Sequence, residues 1–179
     1  FGIKVHADEF VSQGGAELAA EVGAVSAEHL IAVSDEGIAR LAASATAAIL
    51  LPGVSFFLMM AKRAPARRLV DAGAAVALAT DFNPGSSHIH SMPFVLQLGV
   101  FTLGLTVEEA INACAGNAAY AIRRHGTVGS LETGKKMDLL LCDIPDYISL
   151  AYEAGRNPVR TVIKNGKVAV EDGRRVAAR

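Results

Sequence analysis

"VALATDFNPGSSHIH", Val76 to His90, is the stretch that decides the fold. An apolar run stops abruptly at Asp81, and a polar loop with Asn83, Pro84, Gly85, Ser86 and Ser87 follows. The run is apolar at successive positions, not at alternate ones. That pattern belongs to a strand covered on both faces, as in parallel sheets. In parallel α/β folds the chemistry lies at the carboxyl ends of the strands, where Asp81 stands.

The same texture repeats upstream. "GIKVHADE" reads as a strand, "GGAELAAEVG" as a short helix between glycines, and "AVSAEHL" as a second strand. "SDEGIARLAASA" opens on Ser34 as N-cap, with Asp35 and Glu36 in the first turn, and reads as a helix. "AAILLPG" is a third strand, and "PARRLVDAG" is a helix from Pro65 to Gly73. Downstream, "TVEEAINACAGNAAYAIRR" carries the capping box Thr106-x-x-Glu109 and reads as the longest helix. Four strand–helix units in a row predict a parallel α/β architecture, either an open sheet or part of a barrel. From about Gly126 the chain turns to short β-rich segments. Asn165-Gly166 suits a type I′ turn between two β-branched runs. Residues 1–125 thus form a parallel unit and 126–179 a small antiparallel one.

Composition narrows the function classes. The chain has 179 residues, 51% of them hydrophobic, and a formal net charge of −1, so nothing marks nucleic acid or an acidic membrane surface as a partner. The uncharged segment Ala42–Ala61 is long enough to raise a membrane-spanning reading. Pro52-Gly53 and three hydroxyl residues break it into a helix end, a buried strand (Ala47–Leu51) and a loop. No signal peptide is read. Cys114 and Cys142, without a CxxC, read as reduced packing residues of a cytoplasmic protein. The first residues, "FGIKVHADE", read as a strand already under way, which predicts a fragment.

The strand ends hold the candidate chemistry. His6 ends the first, with Asp8 and Glu9 just after it; His29 ends the second, Pro52-Gly53 the third and Asp81 the fourth. Imidazole and carboxylate together suit Zn²⁺ or Fe²⁺. His88-Ile89-His90 has metal-motif spacing but follows Asp81 and reads as a loop feature.

These pieces resemble a known family. "HADE" at 6–9, "GGAELAAE" at 14–21, "VSAEHL" at 25–30, "LLPG" at 50–53, "LATDFNPGSS" at 78–87 and "GSLETGKKMDLLLCD" at 129–143 are similar to the metal-dependent amidohydrolase superfamily. Within it they most resemble the imidazolonepropionases of histidine degradation. The resemblance implies the C-terminal half of a TIM-type (β/α)8 barrel, strands 5–8, plus part of a small β-sandwich domain. It implies one metal ion, zinc or iron, held by His6 and Asp81. His29 would contact the water or the substrate carbonyl, and Glu9 the imidazolone ring. Asn83, Gly85 and Ser86 would contact substrate. The implied reaction is hydrolysis of the cyclic amide C–N bond of 4-imidazolone-5-propanoate to N-formimino-L-glutamate. The alternatives are another cyclic-amide hydrolase or aminohydrolase of the superfamily, or an inactive truncated fragment. The implied partners are a small-molecule substrate, the missing N-terminal half and, at full length, a second copy. The family's first-strand His-x-His and the substrate-binding Arg, Tyr and His of its first half do not occur in this chain. Cys114, Arg123 and Met137 stand where the family pattern has Thr, Gly and Ala.

Overall fold

A computed structural model describes residues 2–176. Four parallel strands, β1 (Lys4–Ala7), β2 (Ser26–His29), β3 (Ala47–Leu50) and β4 (Val76–Leu78), lie side by side in chain order. Their register pairs His6 with Glu28, Glu28 with Ile49, and Ile49 with Ala77. One face of the sheet, with Ala7, Ala27, Ala48, Leu50, Val76 and Leu78, packs into the main core. The other face carries a smaller cluster of Ala47, Ile49, Leu51, Val54, Ala77 and Ala121. The continuous apolar runs of β3 and β4 follow from burial on both faces.

Helices α1 (Gly15–Glu21) and α2 (Asp35–Ala42) follow β1 and β2. The Ser34 hydroxyl caps α2 by accepting the Gly37 N–H at 2.8 Å. After β3 the predicted loop is a helix instead: α3 (Pro52–Phe57) starts on Pro52 at its first turn, where the missing N–H costs nothing. Next, α4 (Ala66–Asp71) leads into β4. The longest helix is α5 (Met92–Leu103), a stretch without a helical reading in the sequence. It is apolar nearly all round, so no 3.6-residue stripe announces it. Ser91 caps its start and Gly104, at φ 70°, ends it.

The helix expected from Thr106 keeps its capping box but breaks. α6 (Val107–Cys114) and α7 (Gly116–Tyr120) meet at Ala115, whose φ −122° and ψ −83° are not helical. The break lets Asn117 Nδ2 donate to the Val76 carbonyl at 2.8 Å and Tyr120 Oη to that of Ala45 at 2.7 Å, tying α7 to the sheet. Strand β5 (Leu139–Cys142), short helix α8 (Ser149–Tyr152), and strands β6 (Val159–Lys164), β7 (Lys167–Glu171) and β8 (Arg174–Arg175) complete the described chain. β5 to β8 form an antiparallel sheet in chain order. Asn165 at φ 51° and Gly166 at φ 76° make the expected turn of the β6–β7 hairpin. α8 belongs to the main core through Ala151, and Gln97 of α5 holds it there. The α/β reading therefore holds, with the parallel and antiparallel sheets where expected. Among the described residues no helix is long and apolar enough to cross a membrane.

Candidate active site

The parallel sheet aligns β1 and β2 so that their carboxyl ends lie side by side. His6 Nδ1 stands 2.9 Å from His29 Nε2, with the ring centroids 5.0 Å apart. His29 reaches across because its own φ is 72° and that of Leu30 is 58°. Left-handed backbone at two consecutive non-glycine residues, one of them a bulky leucine, is costly and persists where the surroundings impose it. Here Leu30 N–H donates to Ala7 O at 3.0 Å and Ala32 N–H to Asp8 O at 2.6 Å.

His29 is only 3% exposed, while His6 is open to solvent. Burial pushes the His29 imidazole below its ordinary value, and His6 beside it works the same way. The carboxylates of Glu9, Asp81 and Glu28 pull against this. His29 is therefore a neutral base near pH 7. Its Nδ1 is buried with no hydrogen-bond partner among the described residues, and Glu9 Oε1 lies 3.6 Å away. When His6 Nδ1 donates to His29 Nε2, the His29 proton sits on Nδ1 facing Glu9.

Asp81 follows β4 by three residues, also in left-handed backbone at φ 48°. Its carboxylate has no side-chain partner among the described residues and acts on His29 as an opposite charge. The structure thus gathers His6, His29, Glu9 and Asp81 at one rim. The following loop closes on itself. Asn83 Oδ1 accepts from the N–H groups of Gly85 and Ser86, both at 2.8 Å. Asn83 Nδ2 donates to Asp81 O at 2.7 Å and to Ser86 Oγ at 3.0 Å. These three residues set the shape of the loop and hold the Asp81 backbone. His88 and His90 go separate ways: His88 stacks on Phe57, and His90 meets Phe82 edge-on. They form no ligand pair.

Asp8 stands apart from the site. It is buried and accepts from the N–H groups of Gln13, Gly15 and Ala16, so it caps α1. Sequence reasoning also passed over Glu28, a buried carboxylate inside "VSAEHL" paired with Lys4 at 3.0 Å. A charged residue within a buried strand, next to a rim histidine, was the available signal.

The donor set of His6, His29 and Asp81 fits a borderline metal such as zinc in type. It does not fit in number: among the described residues no three metal-binding side chains converge on one point. These three residues by themselves do not make a complete coordination sphere.

Residues 11–169 match the amidohydrolase family. The chain belongs to that family. This amidohydrolase chain is 56% identical to the imidazolonepropionase of Geobacillus sp. (strain WCH70) over 171 residues, which cover 96% of this chain and 40% of that protein. It is 52% identical to the imidazolonepropionase of Brevibacillus brevis, with the same coverage of each. The chain spans about two fifths of the length of the curated relatives it matches. Its fold superposes on an adenosine deaminase from Xanthomonas campestris with bound zinc, at a TM-score of 0.84 and 20% identity, over 100% of this chain and 47% of that one. It also superposes on N-isopropylammelide isopropylaminohydrolase from Burkholderia multivorans, at a TM-score of 0.76 and 18% identity, over 98% of this chain and 48% of that one. These structures share the fold.

Proposed function

We propose that the chain is the C-terminal part of an imidazolonepropionase, and that the complete protein hydrolyses 4-imidazolone-5-propanoate to N-formimino-L-glutamate in histidine degradation. One observation carries this reading: two imidazoles and two carboxylates meet at one rim of a chain 56% identical to an imidazolonepropionase.

His6 and Asp81 would hold one zinc or iron ion, with further donors from the part of the protein outside this chain. The ion, when bound, supplies a Lewis acid that polarises water and the ring carbonyl. His29, kept neutral by burial, donates a hydrogen bond to the carbonyl oxygen from its Nε2–H tautomer as negative charge builds there. Asp81 takes the proton of the attacking water and hands it to the leaving ring nitrogen, whose bond to the carbonyl carbon breaks. Glu9 hydrogen-bonds the other ring nitrogen and holds the imidazolone in plane. Asn83, Gly85 and Ser86 shape the loop that faces the substrate.

The assembly follows from the same reading. Residues 1–125 are the second half of an eight-stranded barrel, and 126–179 are one segment of a small β-sandwich domain. Support comes from the outer edges of β1 and β4, which pair with no further strand among the described residues. A 370 Å³ apolar cavity also lies against β4, lined by Ile49, Ala77, Ala79, Ala119 and Ile122. It offers room for side chains of a neighbouring strand. The complete enzyme is a cytoplasmic homodimer.

The test is turnover by the complete protein of 4-imidazolone-5-propanoate and a panel of other cyclic amides and deaminable bases. Asp81→Ala is expected to lower kcat/KM at least about a thousandfold. Undiminished turnover by that variant overturns the role of Asp81, and preference for another panel member overturns the substrate.

A further inference from the structure

β1 and β2 carry a charged network beside the imidazoles. Strand side chains alternate, and the register pairs Lys4 with Ser26 and His6 with Glu28, so all four project from one face. Glu28 Oε1 accepts from Ser26 Oγ at 2.5 Å and from Lys4 Nζ at 3.0 Å. Lys4 also donates to the Ser26 hydroxyl and, at 3.4 Å, to the Ala121 carbonyl. Glu28 is 8% exposed, and its Oε2 is buried without a partner among the described residues.

Packing gives no reason for charge at these positions. In the same register β3 carries Ala47 and Ile49, and β4 carries Ala77, all of them buried. Burying the Glu28 carboxylate costs desolvation that an apolar side chain of similar volume avoids, and its partner Lys4 is 46% exposed. The pair is confined to the two strands that bear His6 and His29. Glu28 is also the residue immediately before His29, and its Cα is paired with that of His6.

We propose that Glu28 is a positioning residue: its ion pair with Lys4 clamps β1 to β2 and so sets the separation of His6 and His29. The inference rests on the hydrolytic reading of the rim. It assigns the Lys4–Ser26–Glu28 network to the geometry of the reaction and not to the stability of the sheet.

The decisive variant, in the complete protein, is the double replacement Lys4→Met with Glu28→Leu. Lys4 is 46% exposed, so the pair adds little to stability, and removing the buried Glu28 carboxylate with it leaves the melting temperature unchanged or higher. The clamp is lost, and kcat falls about tenfold to a hundredfold with KM within about threefold, because small misplacements at the reacting centre are that costly. The crystal structure of the variant shows His6 Nδ1 and His29 Nε2 displaced from their 2.9 Å approach. Glu28→Asp keeps the charge but withdraws it by one methylene, and lowers kcat about tenfold on the same grounds. This single replacement decides the matter if the double variant does not fold. Unchanged kcat, or an unchanged imidazole separation, overturns the proposal. If the wild type fails to turn over the imidazolone substrate, the functional reading falls, and the crystallographic separation still decides the clamp.

Discussion

Replacing Asp8 tests whether a strand-end carboxylate serves the helix or the chemistry. Asp8 Oδ1 accepts the Gln13 N–H at 2.8 Å and the Gly15 N–H at 3.3 Å, and Oδ2 accepts the Ala16 N–H at 2.9 Å. The N-cap of α1 is Gly14, which has no side chain to offer, so Asp8 supplies the cap from seven residues before Gly15. Its backbone is left-handed, at φ 49°. Asp8→Ala removes both acceptor oxygens and with them all three bonds. Each of the two short charge-assisted bonds is worth about 1.5 kcal/mol net, and an alanine in left-handed backbone costs about 1 kcal/mol. The expected loss is about 4 kcal/mol. Asp8→Asn keeps an oxygen at the Oδ1 position and tolerates the left-handed conformation, so about 2 kcal/mol is expected. Guanidinium unfolding measures both losses, and amide exchange of Gln13, Gly15 and Ala16 shows whether the cap opens locally. The reasoning fails if Asp8→Ala costs under about 1 kcal/mol, or if Asn costs as much as Ala.

Gln97 is 1% exposed and bonds Leu150 O and Glu153 O, each at 3.0 Å, and the Gly155 N–H at 2.8 Å. Gln97→Leu strands the Leu150 carbonyl and the Gly155 N–H, while Glu153 O keeps the Arg156 N–H at 3.2 Å, and should cost about 2 kcal/mol in unfolding free energy; a loss under about 1 kcal/mol contradicts the clamp. The Arg67 guanidinium, at 2.8 and 2.9 Å, together with the Thr106 N–H, holds the Glu109 carboxyl below its ordinary 4.5. The unfolded chain therefore protonates Glu109 first as pH falls. The stabilisation is present above about pH 4.5 and disappears as pH drops through the lower folded value. The melting-temperature gap between wild type and Glu109→Gln should shrink from pH 7 to pH 3, and a constant gap rejects the pairing. Burial pushes the Cys114 thiol up to about 12, while Cys142 is raised less strongly. At pH 8 iodoacetamide should label Cys142 well before Cys114, as read by peptide mass; equal labelling contradicts the burial.

Much of the fold was legible because local signals and packing agree. Ser34 and the Thr106–Glu109 box cap helices as their residue types dictate, and Asn165-Gly166 turns the hairpin. Three features were not legible. α5 is buried on most sides, so it shows no amphipathic period. α3 begins on a Pro-Gly pair that usually breaks structure, yet Pro52 here opens a helix. The kink at Ala115 arises from contacts of Asn117 and Tyr120 with residues 41 and 75 positions away. No local window contains such contacts.

For the site, the sequence by itself determined which residues stand at strand ends. A parallel strand buried on both faces is written as an unbroken apolar run, and the run stops where the rim begins. Only the tertiary structure decided what each rim residue does. Asp8 and Glu9 are neighbours in sequence, but backbone geometry turns one into the first turn of α1 and the other toward His29. Asn83 carries an amide suited to a ligand, but the bend of the loop closes that amide on Gly85 and Ser86. Glu28 sits in a buried strand, and the register alone brings Lys4 to it. A side chain's type says what it can bond. The partner it meets is set by strand register and by a few left-handed residues, which the fold as a whole holds in place.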